Sequence, residues 1–178
     1  MRNTHEETIL YGVNSLSTLI EHAPERVKRL LFIKKTKLGA RETLLSRAEA
    51  LGIELVEAKE RQLNHYLPDV QHQGVMAFVT PRALQGWEDI LSPETSPLLI
   101  AADQVTDPRN FGAILRSAEA FGVQGVLITS NRCARPGPTV ARTSAGASEL
   151  IPIAMETNLS ASLETAKGRG YQVIGAAK

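Results

Sequence analysis

The sequence predicts an α/β protein built from two units, and three observations support this. Short apolar runs suited to buried strands alternate with segments of helical apolar spacing through both halves. A stretch broken by Pro81, Gly86, Pro93 and Pro97 separates the halves. The 178 residues, 43% of them hydrophobic, are enough for one large or two small cores.

Taken in order, Asn14 to His22 predicts a helix capped by Asn14 or Ser15, with Leu16, Leu19 and Ile20 on one face and a stop near Pro24. Between Arg26 and Lys35, the run Leu30-Leu31-Phe32-Ile33 suits a buried strand. Leu44, Leu45, Ala48 and Leu51 recur at helical spacing before Gly52, a C-terminal stop. Ile53 to Val56 is expected as a second strand, Leu63 to Leu67 as a helical turn, and Val75 to Val79 as a third strand after Gln71-His-Gln-Gly74. Residues 1–80 thus form one α/β unit and residues 81–97 a linker, in which only Trp87 to Leu91 suits a helical turn.

Residues 98–178 form the second unit, expected as a mainly parallel sheet with helices on its faces. Its strands are Leu98 to Ala102, Gly125 to Thr129, Ile151 to Ala154 and Tyr171 to Gly175. Its helices are one with Asn110 near its start and Gly122 beyond its end, one of small residues over Pro138 to Ser148, and one over Asn158 to Lys167. The last apolar strand ends at Gly175-Ala-Ala-Lys178, where an α/β fold normally continues, so a truncated domain is expected.

Twenty Lys plus Arg against nineteen Asp plus Glu leave a net charge of +1, which excludes a strongly basic tail or an acidic solvating protein. The sum hides a local asymmetry. Arg26 to Arg47 holds eight bases (Arg26, Lys28, Arg29, Lys34, Lys35, Lys37, Arg41, Arg47) and one acid, Glu42, whereas Ala48 to Val70 holds five acids and two bases. A basic face suits a phosphate backbone, and a solvated helix face is the plainer alternative. The single cysteine, Cys133, rules out a disulfide framework and a four-ligand zinc site. His5, His22, His65 and His72 have no metal-ligand spacing, so no metal is expected. No apolar run approaches the roughly 18 residues of a membrane span, and the N-terminus lacks a signal-like stretch. The expectation is a cytoplasmic protein with no membrane partner. Aromatics, at 4%, offer only Tyr11 and Tyr66 as single stacking groups.

The densest polar feature is Asp103-Gln-Val-Thr-Asp-Pro-Arg-Asn-Phe-Gly-Ala-Ile-Leu-Arg116-Ser-Ala, a loop leaving a strand and entering a helix. Open α/β sheets bind ligands at that position. Asn110 can cap the helix, and Phe111, Ile114, Leu115, Ala118 and Phe121 form its apolar stripe. Arg116 projects nearly opposite, either to meet a partner or as an ordinary solvated arginine. The stretch lacks the glycine spacing and Gly-Lys-Ser/Thr ending of a P-loop. Arg109, Arg132, Arg135 and Arg142 are a second basic group, expected around the same end of the sheet.

This stretch closely resembles the first motif of the SpoU (TrmH-like) family of RNA ribose 2'-O-methyltransferases, D-x-V-x-D-P-x-N-x-G-x-x-x-R-S-A, which Asp103, Val105, Asp107, Pro108, Asn110, Gly112, Arg116, Ser117 and Ala118 match. Thr143-Ser-Ala-Gly-Ala-Ser-Glu149 is similar to that family's small-residue segment. Tyr11-Gly-Val-Asn14, Glu21-His-Ala-Pro-Glu25 and His72-Gln-Gly74 resemble its N-terminal RNA-binding domain. The resemblance spans essentially the whole chain. It implies an L30e-like α/β domain over 1–80 and, over 98–178, a SPOUT-type (α/β knot) parallel-sheet domain that lacks its knot. The second motif, G-x-E-x-x-G, and the third, S-L-N-V-S, do not occur in these residues.

The resemblance further implies S-adenosyl-L-methionine as cofactor, attack of a ribose 2'-hydroxyl on its methyl group, no metal, rRNA as partner (a guanosine of 23S rRNA) and a homodimer. By the same alignment Arg116 and Asn110 are the catalytic candidates, and Gly175 and Ala176 align with cofactor contacts. Arg116 suits a fixed cation better than a base, because a guanidinium is a poor proton acceptor. Asn110 orients Arg116 or the ribose, or simply caps its helix. Asp107 braces the loop and Pro108 fixes its angle. Lys34, Lys35, Lys37, Arg109 and His72 are the RNA-binding candidates, with a structural turn as the alternative for His72. Three functions compete at this stage: an rRNA methyltransferase of which this chain is an inactive truncated form, a non-catalytic RNA-binding accessory protein, and a nucleotide-binding regulatory α/β protein, which the lack of a glycine-rich phosphate loop disfavours.

Overall fold

The computed structural model describes residues 7–34, 39–91 and 98–176. The first half is a four-stranded mixed sheet, order β1-β4-β2-β3, formed by β1 (Thr8–Tyr11), β2 (Val27–Phe32), β3 (Glu54–Glu57) and β4 (Val75–Val79). β4 runs antiparallel to both neighbours, and β2 pairs parallel with β3. Alternation along the strands serves two cores. Leu30, Val75 and Ala77 face α1 (Val13–His22) and α2 (Gly39–Ala50), while Leu31 and Met76 face α3 (Glu60–Tyr66), where Leu63 is fully buried.

The second half is a parallel sheet, β5 (Leu99–Ala102), β6 (Gly125–Thr129) and β7 (Ile153–Glu156), in sequential order as expected from the alternation. β6 is central and buried along its whole length. One face is covered by α5 (Pro108–Ala120) and α6 (Pro138–Thr143), the other by α4 (Trp87–Ile90) and α7 (Leu159–Gly168). Burial of Phe111 and Leu115 on α5 contributes roughly 1.5–3 kcal/mol each.

Four expectations are corrected. β1 was not foreseen; its four residues exist as a strand because β4 supplies the ladder. The N-cap of α1 is Gly12, not Asn14 or Ser15, and the Gln73 side-chain Oε1 accepts the Val13 N–H at 3.0 Å. The small-residue helix ends at Thr143 and resumes as a 3₁₀ turn at Ala147–Glu149, because Ala145 and Gly146 take left-handed φ of 54° and 97°. Tyr171 to Gly175 is not a strand. Among the described residues no strand forms a ladder with this segment, and Ile174 is 84% exposed.

Of the segment 81–97, residues 92–97 lie outside the described residues. Residues 82–91 dock on the second sheet. Gln85 bridges to Ala154, Trp87 Nε1 donates to the Ser162 carbonyl at 3.0 Å, and the Arg82 guanidinium donates to the Ser148 and Leu150 carbonyls at 2.9 and 3.0 Å.

The segment from α6 to the 3₁₀ turn joins the halves. Ser15 Oγ, fully buried, donates to the Ala141 carbonyl at 3.0 Å, and Ala141 itself belongs to the first core. Small residues are required here for close approach. A Cβ on Gly146 would fall 2.6 Å from the Thr18 side chain. Arg26 closes the junction with an ion pair to Glu149 at 2.8 Å, the two side chains being only 15% and 7% exposed.

Candidate functional site

The carboxyl ends of β5, β6 and β7 lie on one side of the second sheet because the strands are parallel. The loop leaving β5 and the loop leaving β6 meet there. The Ala134 N–H donates to the Val105 carbonyl at 2.8 Å, and Val105 tucks against the core. Gln104 and Arg132, one on each loop, hold φ of 55° and 54°, a conformation uncommon for residues with side chains and enriched at functional sites.

Asp107 caps α5, its Oδ1 accepting the Arg109 N–H at 2.8 Å, and Pro108 occupies the first helical position. The cap therefore belongs to Asp107 and not to Asn110. A proline suits the first helical position, where no N–H is needed, and the residue before it takes extended backbone. Asn110 is exposed in the first turn with its side chain unengaged among the described residues. Gly112 is there for packing: a Cβ would lie 1.9 Å from Thr143 Oγ1 and 3.0 Å from the Val140 carbonyl oxygen, so only glycine lets α5 and α6 approach this closely. The apolar stripe holds for Phe111, Leu115 and Ala118, but Phe121 is 80% exposed at the helix end.

Arg116 is exposed and has no hydrogen bond or ion pair among the described residues. It lies six residues beyond Asn110, about 9 Å along the helix axis, and no hydrogen bond joins the two. Asn110 therefore does not orient Arg116 directly in this arrangement. Arg109, Arg132 and Arg135 are exposed on or beside the two meeting loops and unpaired among the described residues, a concentration of positive charge at the carboxyl end of the sheet. Arg142 departs from this group and lies against Gly12 of the first half.

Gly175 and Ala176 are exposed, and a Cβ on Gly175 would meet nothing within 4 Å. No wall stands around them. The described residues therefore do not by themselves enclose a nucleoside-sized cofactor at these positions. They contain no group of three or more His, Cys, Asp or Glu side chains able to hold a metal.

In the first half, the motifs Tyr11–Asn14 and His72–Gly74 meet at one end of the mixed sheet. Antiparallel pairing of β1 with β4 puts Gly12 beside Val75, to whose carbonyl the Gly12 N–H donates at 3.4 Å. His72 is buried, with Nδ1 accepting the Gly74 N–H and Nε2 donating to Asn64 Oδ1, both at 3.0 Å. Both ring nitrogens are thus engaged, one within the turn and one by α3. Lys34 leaves β2 at the same end, exposed and 3.5 Å from Glu57 in a pair of the kind that contributes at most about 1 kcal/mol. Lys35 and Lys37 lie outside the described residues. Tyr11 is buried and offers no stacking face, whereas Tyr66 is half exposed and edge-on to Phe78.

Sequence reasoning missed Arg26, Arg82 and Glu149. Burial pushes the Arg82 guanidinium below its ordinary pKa, opposed by the Glu149 carboxylate and reinforced by Arg26. Nothing local in the sequence pairs residues 26 and 149. The Asp-Pro dipeptide at 107–108, by contrast, was a readable cap signal.

Residues 97–178 match the model of the SpoU rRNA methylase family, and residues 9–85 match the model described as RNA 2'-O ribose methyltransferase substrate binding. The chain is 37% identical over 172 residues to a 23S rRNA (guanosine-2'-O-)-methyltransferase RlmB of Pseudomonas putida, covering 94% of this chain and 69% of that protein. Among solved structures it is similar to the SpoU methyltransferase AviRb from Streptomyces viridochromogenes (TM-score 0.69, 25% identity, 92% of this chain, 59% of that one). An AdoMet-bound rRNA methyltransferase from Sinorhizobium meliloti has the same fold (TM-score 0.69, 21% identity, 92% of this chain, 59% of that one). The chain thus spans less than two thirds of these solved chains.

Proposed function

The chain belongs to the SpoU rRNA methylase family, and on that premise we propose that its protein methylates a ribose 2'-hydroxyl of rRNA, a guanosine of 23S rRNA as in the RlmB relatives. The observation that carries the reading is the meeting of the β5 and β6 loops, which puts Asn110 and the unpaired Arg109, Arg132 and Arg135 at the carboxyl end of the parallel sheet. The donor implied by the reaction class is S-adenosyl-L-methionine, which supplies a methyl group already activated on a sulfonium.

The contribution of these residues is on the RNA side. Arg109 holds the backbone, and Asn110 orients the ribose with a side chain left unused by the helix cap. Arg116 is a fixed cation for a phosphate or for charge developing on the 2'-oxygen, not a base. Lys34, at the end of the mixed sheet, binds RNA, as do Lys35 and Lys37. His72 shapes the adjoining turn. Gly175 and Ala176 contribute to a cofactor wall only together with segments bearing the family's second and third motifs. The 178 residues by themselves are expected to bind RNA without transferring methyl groups. The protein works as a cytoplasmic homodimer without a metal; no helix among the described residues is long and apolar enough to cross a membrane.

The test is methyl transfer to 23S rRNA by the polypeptide carrying all three motifs. Arg116→Ala should reduce turnover by about 100-fold or more with an unchanged melting temperature. Undiminished transfer removes Arg116 from the reaction. RNA binding with no transfer by the unaltered protein favours the accessory reading.

A further inference from the structure

Arg142 stands at the junction of the two halves. Its side chain lies across Gly12, where an added Cβ would be 2.7 Å from its Cδ, 2.9 Å from its Nε and 3.3 Å from Gln73 Oε1. Gly12 has φ of +87°, so both its conformation and the space above it favour glycine. Arg142 is half-buried as a residue, and among the described residues its guanidinium has neither a carboxylate nor a hydrogen-bond acceptor. Glu149, on the same segment, is already held by Arg26 and Ser148. A half-withdrawn cation without a counter-charge is unfavourable unless an anion reaches it from outside.

Its surroundings say which anion. Helix α6 continues directly from the loop bearing Arg132 and Arg135, and Arg142 is only about 6 Å along the axis from Pro138, where the helix begins. On its other side lies the end of the mixed sheet, with the exposed Lys34 two residues beyond β2 and 3.5 Å from Glu57. Positive groups therefore run from the mixed sheet, through Arg142, to the loops of the parallel sheet. An extended polyanion can follow such a path, and a planar fork favours phosphate oxygens.

We propose that Arg142 holds a backbone phosphate of the RNA strand where it crosses from the first half to the second, so that one strand engages both. This inference rests on the proposed RNA substrate and adds a contact at the junction. The plain alternative is an aliphatic stem that merely fills the interface. Arg142→Met keeps such a stem without the charge, and Arg142→Lys keeps the charge.

Filter binding of in vitro transcribed 23S rRNA across a salt series, with melting temperatures recorded in parallel, separates these roles. The Met variant should bind about tenfold more weakly, and its plot of log affinity against log salt should be shallower by about one. The Lys variant should keep most of the wild-type slope. Met and Lys variants that bind alike, with the same slope, overturn the assignment whatever their stabilities. A wild-type chain that does not bind rRNA at all overturns the functional reading, and the inference with it.

Discussion

The two halves of the molecule differ in how completely they use their surfaces. In the mixed-sheet half, both faces of the sheet are packed and the exposed large apolar residues, Leu51 and Tyr66, stand apart in sequence on different elements. In the parallel-sheet half, Leu98 and Phe121 are exposed together, lining an apolar groove of about 450 Å³ with Ile100, Ile114 and Val123 along the edge of β5 that pairs with no strand among the described residues. Scattered apolar residues are normal on a surface, whereas a contiguous patch beside an unpaired edge marks an association face. The difference teaches that the first half covers both faces of its sheet with its own helices. The second half leaves an apolar groove exposed along β5.

Three substitutions probe this contrast. The largest effect is expected at the junction: Glu149→Gln leaves Arg26 facing a neutral group and should cost about 3 kcal/mol. Hydrogen exchange should then show the parallel-sheet half opening at lower free energy than the mixed-sheet half. Unchanged protection would mean that the halves are coupled by α6 packing alone. Gly112→Ala drives a methyl group into Thr143 and the Val140 carbonyl, at a cost of about 1–3 kcal/mol. Faster exchange in α5 and α6 with β1 to β4 unaffected is the expected pattern, and wild-type exchange would show that the helices can separate freely. Phe121→Ser should change stability by less than about 0.5 kcal/mol while reducing self-association in sedimentation experiments. Equal association by both proteins would deny the groove that role.

Most elements were legible because their signals are local. Val75 to Val79 and Gly125 to Thr129 stand in the structure with the bounds read from their apolar runs. The misreadings share one physical cause, dependence on a distant partner. Thr8 to Tyr11 is a strand because of β4, 60-odd residues away, and Tyr171 to Gly175 is none because no described strand forms a ladder with it. Gly12 caps α1 with help from Gln73, and Gly146 breaks the small-residue helix against Thr18. At the site, the motif identified Asp107, Asn110, Gly112 and Arg116 as a group. Their separate tasks as cap, unused amide, packing contact and exposed cation required coordinates. The contact of Arg142 with Gly12 of the opposite half was not legible for the same reason: residues 12 and 142 are joined only in the fold.

The central claim, ribose methylation of rRNA, is tested most directly by mass spectrometry of 23S rRNA nucleosides from cells lacking the gene. The account predicts the loss of one 2'-O-methylguanosine, restored by the wild-type gene and not by the Arg116→Ala variant. An unchanged complement of ribose methylations in those cells would contradict it.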